Sequence, residues 1–306
     1  MKTITKILIM VALILSAFVG MCADAYYFAP MRYSTRFVEL SSSDIPEQLN
    51  DMNILYFSDL DYGTFMDENR LNKLVEKING LSPDIILFGG DLYDTDATAS
   101  EDANKILTTA LTSLKANYGK YAVYGDSDDR NEDMINTVNT IYKASNIEVL
   151  NNKSVSLHKQ SSQSITLVGL DNAVNGKPDI GGAYSTVSRD SYVITLCHTP
   201  DTALTVPADI TNYFLAGHSH GGQIYYFFGA LYQPVGAKEY FRGTHMISNS
   251  FTLDITNGVG TTKKDIRFLS NAEVVVYKLR NTSTDSTASP AAKSNVTAQS
   301  TTTSTQ

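Results

Sequence analysis

The chain reads MNILYFSD at residues 52–59, DIILFGGD at residues 84–91 and KYAVYGD at residues 120–126. Each stretch is a short apolar run that ends on an aspartate, which predicts three strands with a carboxylate at the end of each. Strand ends in α/β proteins open onto a shared crevice, so residues far apart in the chain can meet there. These stretches therefore predict an acidic site at one edge of a sheet.

The histidines of the chain are scarce and clustered. There are five, and three of them lie in LCHTPD (residues 196–201) and FLAGHSHGGQ (residues 214–223). The glycines that flank His218 and His220 predict a tight loop rather than a strand. Imidazole and carboxylate groups together suit cations such as zinc, manganese and iron. The sequence therefore predicts a polynuclear metal site.

The first half of the chain alternates predicted strands with amphipathic helices. Apolar residues recur at helical spacing in residues 67–80, 101–117 and 131–145. This βαβα order predicts parallel strands with right-handed crossovers. The second half is rich in strand patterns, among them SITLVGL, YVITLCH and AEVVVYKL, which predicts a second sheet.

Taken in order, the motifs SDLD, GGD, GDSD, CH and GHSH resemble those of the calcineurin-like metallophosphoesterases, whose usual pattern is DxH, GD, GNH[DE], H and GHxH. The resemblance runs from about Met52 to Leu279. GHSHGGQI and the later NGVGTTKKDIRF are similar to one branch, the small membrane-associated bacterial phosphoesterases. The resemblance implies an α/β fold for residues 26–280: a four-layer α/β/β/α sandwich of two mixed sheets flanked by helices.

The resemblance also implies two metal ions, which we expect to be Mn, Fe or Zn. Asp91 would bridge the two ions. One ion would also bind Asp59, Asp61 and His220, and the other would bind Asp126, His198 and His218. Such a centre activates a water and stabilises charge during hydrolysis of a phosphodiester or phosphomonoester.

Three positions depart from the family pattern: Asp61 and Ser127 each stand where the family has His, and Asp126 stands where it has Asn. With two divalent ions bound, the family's two carboxylate ligands leave a net charge of +2 at the centre. The four carboxylates of this chain would leave a net charge of zero, so the attraction of the centre for a phosphate group is weaker. The resemblance implies that Ser127 would contact the phosphate and that Asp128 would orient the Ser127 side chain. A serine hydroxyl is a poor acid near neutrality, which predicts a slow enzyme. The alternative is a metal-binding pseudoenzyme with a sensing or assembly role at the cell envelope.

Residues 1–25 are either a signal peptide, cleaved at Ala23-Asp24-Ala25, or an N-terminal membrane anchor. Lys2 and Lys6 precede an uncharged apolar run, which places the following domain outside the cytoplasm in both cases. We therefore expect a protein of the cell membrane or a secreted one. Residues 281–306 are rich in Ser and Thr, and we expect them to be disordered.

A net charge of −8 without a basic cluster argues against nucleic acid as a partner. The expected partners are a small-molecule or lipid phosphoester substrate and the membrane. The aromatic stretch at residues 225–232 is either core or edge strand, or a lip that contacts lipid. We expect His158 to be exposed, His245 to lie at the surface, and Tyr93 to lie in the core or the pocket wall.

Overall fold

The computed structural model of the protein describes residues 2–226, 229–231 and 233–283. Its helices are α1 (Lys2–Ala23), α2 (Glu68–Gly80), α3 (Glu101–Ser113), α4 (Glu132–Ala144) and α5 (Ile180–Tyr184). Its strands are β1 (Ser34–Ser42), β2 (Asn53–Phe57), β3 (Ile85–Phe88), β4 (Lys120–Ala122), β5 (Glu148–Val149), β6 (Lys153–His158), β7 (Ser164–Gly169), β8 (Val193–Leu196), β9 (Tyr213–Ala216), β10 (Tyr225–Tyr226), β11 (Gly229–Ala230), β12 (Gly243–Met246), β13 (Thr252–Ile255) and β14 (Glu273–Asn281). Shorter helical turns lie at Asp24–Phe28, Ala29–Met31, Glu47–Leu49, Pro200–Leu204 and His220–Gly222.

The first sheet has six strands in the order β1-β14-β2-β3-β4-β5. Strands β2 to β5 run parallel, as the alternation of strands and helices predicts. Strand β14, from the end of the domain, runs antiparallel to β2 and parallel to β1. The sheet is therefore mixed.

The second sheet also has six strands, in the order β12-β13-β9-β8-β7-β6. Its four central strands are parallel, and the edge strands β12 and β6 are antiparallel to their neighbours. Strands β10 and β11 form a separate short hairpin. Both sheets are thus mixed.

The two sheets pack face to face, and helices cover the outer face of the first sheet. Alternation along β2 shows this directly: Ile54 and Tyr56 face the second sheet, while Leu55 and Phe57 face the helices. The core between the sheets joins these side chains to Leu167 and others of the second sheet. A third apolar cluster covers the far face of the second sheet with α5 and the turn at Pro200–Leu204. The predicted α/β/β/α sandwich is confirmed.

The three long helices of the sandwich begin and end where local chemistry favours it. The side chains of Asp67, Ser100 and Asn131 cap α2, α3 and α4 by accepting a backbone N–H of the first turn. The buried faces match the predicted helical spacing: Leu71, Leu74, Val75 and Ile78 on α2, and Met134, Val138, Ile141 and Tyr142 on α4. On α3, Leu107, Ala110 and Leu111 are buried.

The structure departs from the sequence predictions at a few elements. Strand β1 was not predicted, because it lies at a sheet edge and all its residues except Leu40 are exposed or half-buried, without a clear apolar face. Asn281, predicted to start the disordered tail, is buried as the last residue of β14. Residues 284–306 and three of the aromatic stretch, Phe227, Phe228 and Tyr232, lie outside the described residues. His158 is exposed as predicted.

Helix α1 stands apart from the sandwich. Its apolar side chains, such as Leu13 and Val19, are exposed, and the helix is long and apolar enough to cross a membrane by length and composition. The segment that follows does pack on the domain: Ala25 and Ala29 are buried, and the backbone N–H of Arg267 donates to the carbonyl oxygen of Ala25.

Candidate metal centre

Each predicted metal ligand follows the carboxyl end of a strand. Asp59 and Asp61 follow β2, Asp91 follows β3, Asp126 follows β4, His198 follows β8, and His218 and His220 follow β9. The strands belong to both sheets, and the stacking of the sheets brings their carboxyl ends to one edge of the sandwich. The structure therefore gathers all seven side chains, as the motif order predicts.

Four of these side chains form one compact cluster. The ligand atoms of Asp91, Asp126, His198 and His218 all lie within 4.8 Å of one another. His198 Nε2 is 3.2 Å from Asp91 Oδ2 and 3.3 Å from Asp126 Oδ1, and His218 Nδ1 is 2.9 Å from Asp126 Oδ1. This set of two imidazoles and two carboxylates could hold a metal ion.

The other three side chains lie beside this cluster. His220 Nε2 is 3.7 Å from Asp59 Oδ1 and 3.6 Å from Asp61 Oδ2. Asp59 Oδ1 is also 3.9 Å from His198 Nε2, which belongs to the four-residue cluster. The three side chains are buried, so the two groups of ligands form one continuous polar centre inside the protein.

The backbone and the carbonyl groups around the centre fix the orientation of the imidazoles. His198 Nδ1–H donates to the carbonyl oxygen of Gly89 (2.7 Å), and His218 Nε2–H donates to that of Val235 (2.7 Å). These bonds leave His198 Nε2 and His218 Nδ1 unprotonated toward the carboxylates in the neutral rings, which is the tautomer that a metal requires.

Oxygen atoms in the centre lack hydrogen-bond donors. Asp59 Oδ2 and Asp61 Oδ2 are buried and accept no hydrogen bond from any described residue. A buried carboxylate oxygen without a partner carries a large desolvation cost, which a bound cation removes. These oxygens therefore fit a metal ion as their missing partner.

Burial also shifts the pKa values of the centre. Burial, and then the charges of Asp91 and Asp59, raise the pKa of Asp61 well above its usual range. Burial likewise raises the pKa of Asp59 and lowers that of His220 well below its usual range. The protein thus holds His220 neutral and crowds carboxylates together, an arrangement that a divalent cation stabilises.

Backbone strain is concentrated at the ligands. Five of the seven have a left-handed φ: Asp59 (56°), Asp61 (52°), Asp91 (57°), His218 (67°) and His220 (51°). Each such conformation costs a non-glycine residue about 1 kcal/mol or more, and such residues cluster at functional sites. Left-handed turns thus accompany five of the seven candidate ligands, whereas Asp126 and His198 reach the centre without one.

Ser127 lies behind Asp91 and not in the cavity. Its Oγ is 2.7 Å from Asp91 Oδ1 and 2.6 Å from the carbonyl oxygen of Tyr93, and its backbone N–H also donates to Asp91 Oδ1 (2.9 Å). The side chain is buried. In this structure the Ser127 hydroxyl thus supports Asp91, and its contact with a substrate phosphate stays a prediction.

Asp128 is likewise enclosed by backbone. Its carboxylate accepts hydrogen bonds from the backbone N–H groups of Asp91 (2.9 Å), Leu92 (2.8 Å) and Gly125 (2.9 Å). Burial, followed by the charge of Asp91, raises its pKa to about 7 against the lowering effect of these bonds. Asp128 thus joins the two loops that bear Asp91 and Asp126, and it does not orient the Ser127 hydroxyl as expected.

A cavity of about 380 Å³ opens onto the centre. Asp61, Asp91, Asp126, His218 and His220 form its floor. Gln223, Leu231 and the stretch 262–264 form part of its walls. Its size suits a small substrate or the head of a larger one.

Other histidines and tyrosines lie elsewhere. His245 is half-buried on β12, away from this cavity, and its Nε2–H donates to the carbonyl oxygen of Arg242. Tyr93 is fully buried and its hydroxyl donates to Asn104 Oδ1, so it belongs to the core.

Sequence reasoning missed two features of the site. Lys263 and Lys264 line the cavity, although in the sequence they are an unremarkable pair of adjacent lysines. Arg267 is almost fully buried, and its guanidinium donates to the carbonyl oxygens of Gly258 and Gly260, next to the ligand loops. The only available signal for Arg267 was its position between apolar residues in KDIRFLS.

Known proteins are similar in sequence to this chain over most of its length. The uncharacterized metallophosphoesterase YkuE of Bacillus subtilis is 30% identical over 259 residues, which cover 84% of this chain and 89% of the relative. The uncharacterized metallophosphoesterase Cj0846 of Campylobacter jejuni is 26% identical over 260 residues, 83% of this chain and 66% of the relative. A transmembrane protein with metallophosphoesterase domain from Bos taurus is 26% identical over 252 residues, 78% of this chain and 55% of the relative. No family model matches the chain.

The comparisons and the geometry agree. The chain spans nearly the whole of the Bacillus relative and between half and two thirds of the two longer ones. The aspartate and histidine cluster could hold metal ions, as the names of these relatives lead one to expect. The chain belongs to the calcineurin-like metallophosphoesterases, which are hydrolases that act on phosphoric ester bonds.

Proposed function

We propose that the protein hydrolyses a phosphodiester or phosphomonoester at a two-metal centre. The observation that carries this proposal is the position of Asp91. Its carboxylate belongs to the cluster with Asp126, His198 and His218, and its backbone carbonyl oxygen accepts the N–H of Asp61 (3.0 Å), so Asp91 lies beside both groups of ligands. A carboxylate shared between two groups of ligands is the arrangement that a pair of metal ions requires.

The two groups of ligands divide the centre. Asp126, His198 and His218 would hold one ion, and Asp59, Asp61 and His220 the other. Bound divalent ions supply an activated water and stabilise negative charge on the phosphoryl group. Around them, the carbonyl oxygens of Gly89 and Val235 orient His198 and His218, and Ser127 and Asp128 hold the Asp91 loop.

The residues of the cavity offer little help to the leaving group. Ser127 is turned away behind Asp91, and the histidines that line the cavity, His218 and His220, are both proposed ligands. A leaving group that must depart as a poorly stabilised alkoxide reacts slowly without an acid. We therefore expect slow turnover with a preference for activated leaving groups such as nitrophenolate.

The apolar helix α1 favours a place for the protein at the cell membrane, or in the secreted fraction if the helix is removed as a signal peptide. The charge of Lys2 and Lys6 before the apolar run favours an extracytoplasmic catalytic domain. A relative with a transmembrane name supports membrane association of this kind. The substrate would then be a small-molecule or lipid phosphoester that is accessible outside the cytoplasm.

The test is metal-dependent hydrolysis. The full chain, purified in detergent without chelator, is assayed on bis(p-nitrophenyl) phosphate with Mn, Fe, Zn or Co. Turnover that depends on metal and falls about a thousandfold or more in Asp91→Asn supports the proposal, because several kcal/mol of charge stabilisation is lost. Turnover that is unchanged in Asp91→Asn contradicts it.

A second function rests on the position of Ser127. Because Ser127 stands in place of the family's histidine and its hydroxyl contacts Asp91, the centre could bind metal and phosphate without useful turnover, as a pseudoenzyme in sensing or assembly at the envelope. Metal bound at full stoichiometry with no hydrolysis of the activated ester would select this function over the first.

A further inference from the structure

The wall of the cavity beside the metal ligands is formed by residues 262–264. Lys263 and Lys264 are exposed and line the cavity together with Asp61, Asp91 and Asp126. Among the described residues that line this cavity, the two lysines are the only permanent cations. The residues that line the cavity thus combine a group of acidic side chains with one pair of basic side chains.

The metal motif itself holds this wall in place. Gln223 follows the GHSHGG sequence, and its side-chain amide donates to the carbonyl oxygens of Thr262 (3.1 Å) and Lys264 (2.8 Å). Its Oε1 accepts the backbone N–H of Thr262 (3.0 Å). The backbone N–H of Gln223 donates to the carbonyl oxygen of His220 (2.9 Å). The lysine-bearing wall is therefore tied to a proposed metal ligand through one residue.

The next residue fixes the other end of this wall. Asp265 pairs with Arg70 of α2 through both carboxylate oxygens (2.9 and 2.6 Å) and accepts the hydroxyl of Thr261 (2.9 Å). Lys263 adopts a left-handed φ of 61°. Hydrogen bonds thus hold this loop on both sides of the lysines. Binding of an anion to lysines on such a loop costs less conformational entropy than binding to lysines on a flexible loop.

The carboxylates of the metal centre and the two lysines act differently on an anionic substrate. Asp59, Asp61, Asp91 and Asp126 together cancel two divalent ions, so the loaded centre has little net attraction for an anion. Asp96, which also lines the cavity, adds a further negative charge. The two lysines supply +2 at the wall. The two lysines are therefore the main source of attraction for an anionic group in this cavity.

We propose that Lys263 and Lys264 bind a second anionic group of the substrate, so that the enzyme selects phosphoesters with another phosphate or carboxylate next to the scissile phosphate. This inference rests on the proposed phosphoesterase function, which assigns the floor of the cavity to the metal ions and the scissile phosphate. The lysines then determine specificity and contact the part of the substrate that is not hydrolysed.

Two small ligands separate this role from general attraction. Methylphosphonate has one anionic group and methylenediphosphonate has two, and neither is hydrolysed. Their affinities are measured by titration calorimetry on the metal-loaded full chain, with metal content determined before and after. The variant is Lys263→Gln with Lys264→Gln. The control is Lys73→Gln with Lys105→Gln, which removes the same charge from exposed positions on α2 and α3.

We expect the cavity double variant to bind methylenediphosphonate about tenfold more weakly or worse, corresponding to about 1.4 kcal/mol, while methylphosphonate changes less than about threefold. The control should match the wild type for both ligands. Equal losses for the two ligands, or none, would overturn the inference. Normal metal content without ester hydrolysis would contradict the phosphoesterase function alone, and a chain that holds no metal would contradict both.

Discussion

Arg267 joins the segment after helix α1 to the metal loops. Its backbone N–H donates to the carbonyl oxygen of Ala25 (3.0 Å), and its guanidinium donates to that of Gly260 (2.6 Å). The backbone N–H of Gly260 in turn donates to the carbonyl oxygen of Asp59 (2.7 Å). Residues that follow the apolar helix are therefore part of the folded domain.

The buried guanidinium of Arg267 makes a first prediction possible. It donates to four carbonyl oxygens: Asn257, Gly258, Gly260 and Ser270. Arg267→Met would leave these buried acceptors unsatisfied, and we expect a loss of about 3 kcal/mol or more in the free energy of unfolding. Arg189→Met, at an exposed ion pair with Asp209, should cost less than about 1 kcal/mol. Chemical denaturation measures both, and equal losses would refute the role of the carbonyl contacts.

Ser127 provides a second prediction because it supports a ligand. Ser127→Ala removes one of the two hydrogen bonds that Ser127 makes to Asp91 Oδ1 and should weaken metal binding about tenfold or more, as for other residues that orient metal ligands. Ser145→Ala, at a buried serine remote from the centre, should leave metal affinity unchanged.

Ser127→His should also weaken metal binding rather than raise turnover, since the site between Asp91 and Tyr93 is closed. Affinity is measured by competition with a fluorescent chelator.

Gly125 gives a steric prediction. A Cβ at this position would lie 2.0 Å from Asp91 Oδ1 and 2.4 Å from the Asp91 backbone nitrogen, so Gly125→Ala must displace the proposed bridging ligand. We expect loss of metal and of activity. Gly80→Ala, at the end of α2 with nothing within 4 Å of the added Cβ, should keep both. A metal-replete Gly125→Ala protein would show that the loop can move without cost.

Metal removal gives a fourth prediction. Burial and mutual repulsion raise the pKa values of Asp59 and Asp61, so the empty centre is destabilising and a cation relieves it. An ion present at a hundred times its dissociation constant contributes about 2.7 kcal/mol. Chelation should therefore lower the melting temperature by several degrees, and Asp61→Asn should shrink that drop. Identical melting curves with and without chelator would contradict this account.

The sequence predicted where the candidate ligands lie better than it predicted their surroundings. The motif order identified the strand ends that bear Asp91 and His218, and helical periodicity identified the buried faces of α2 and α4. The direction of Ser127 could not be foreseen, because it depends on the left-handed turn at Asp91. Pairing of β14 with β1 and β2 depends on contacts more than 200 residues apart in the chain, which local patterns do not encode.

The position of the two lysines at the cavity could not be predicted either, because it also depends on contacts between residues far apart in the chain. Lys263 and Lys264 lie 40 or more residues after Gln223, and the hydrogen bonds of its side chain help to hold their loop at the cavity. An adjacent lysine pair in a polar stretch is otherwise typical of a solvated loop. Tertiary contacts, and not composition, give these residues a place in the site.

The most direct test of the account is the metal content of the full chain and of Asp91→Asn, measured by mass spectrometry after removal of free ions. If Asp91 is shared by two ions, the wild type should hold about two per chain and Asp91→Asn should lose most of both. Asp171→Asn, at a carboxylate outside the proposed ligands, should keep the wild-type content. A wild type that holds no ion, or an Asp91→Asn variant that still holds two, would contradict the shared metal centre.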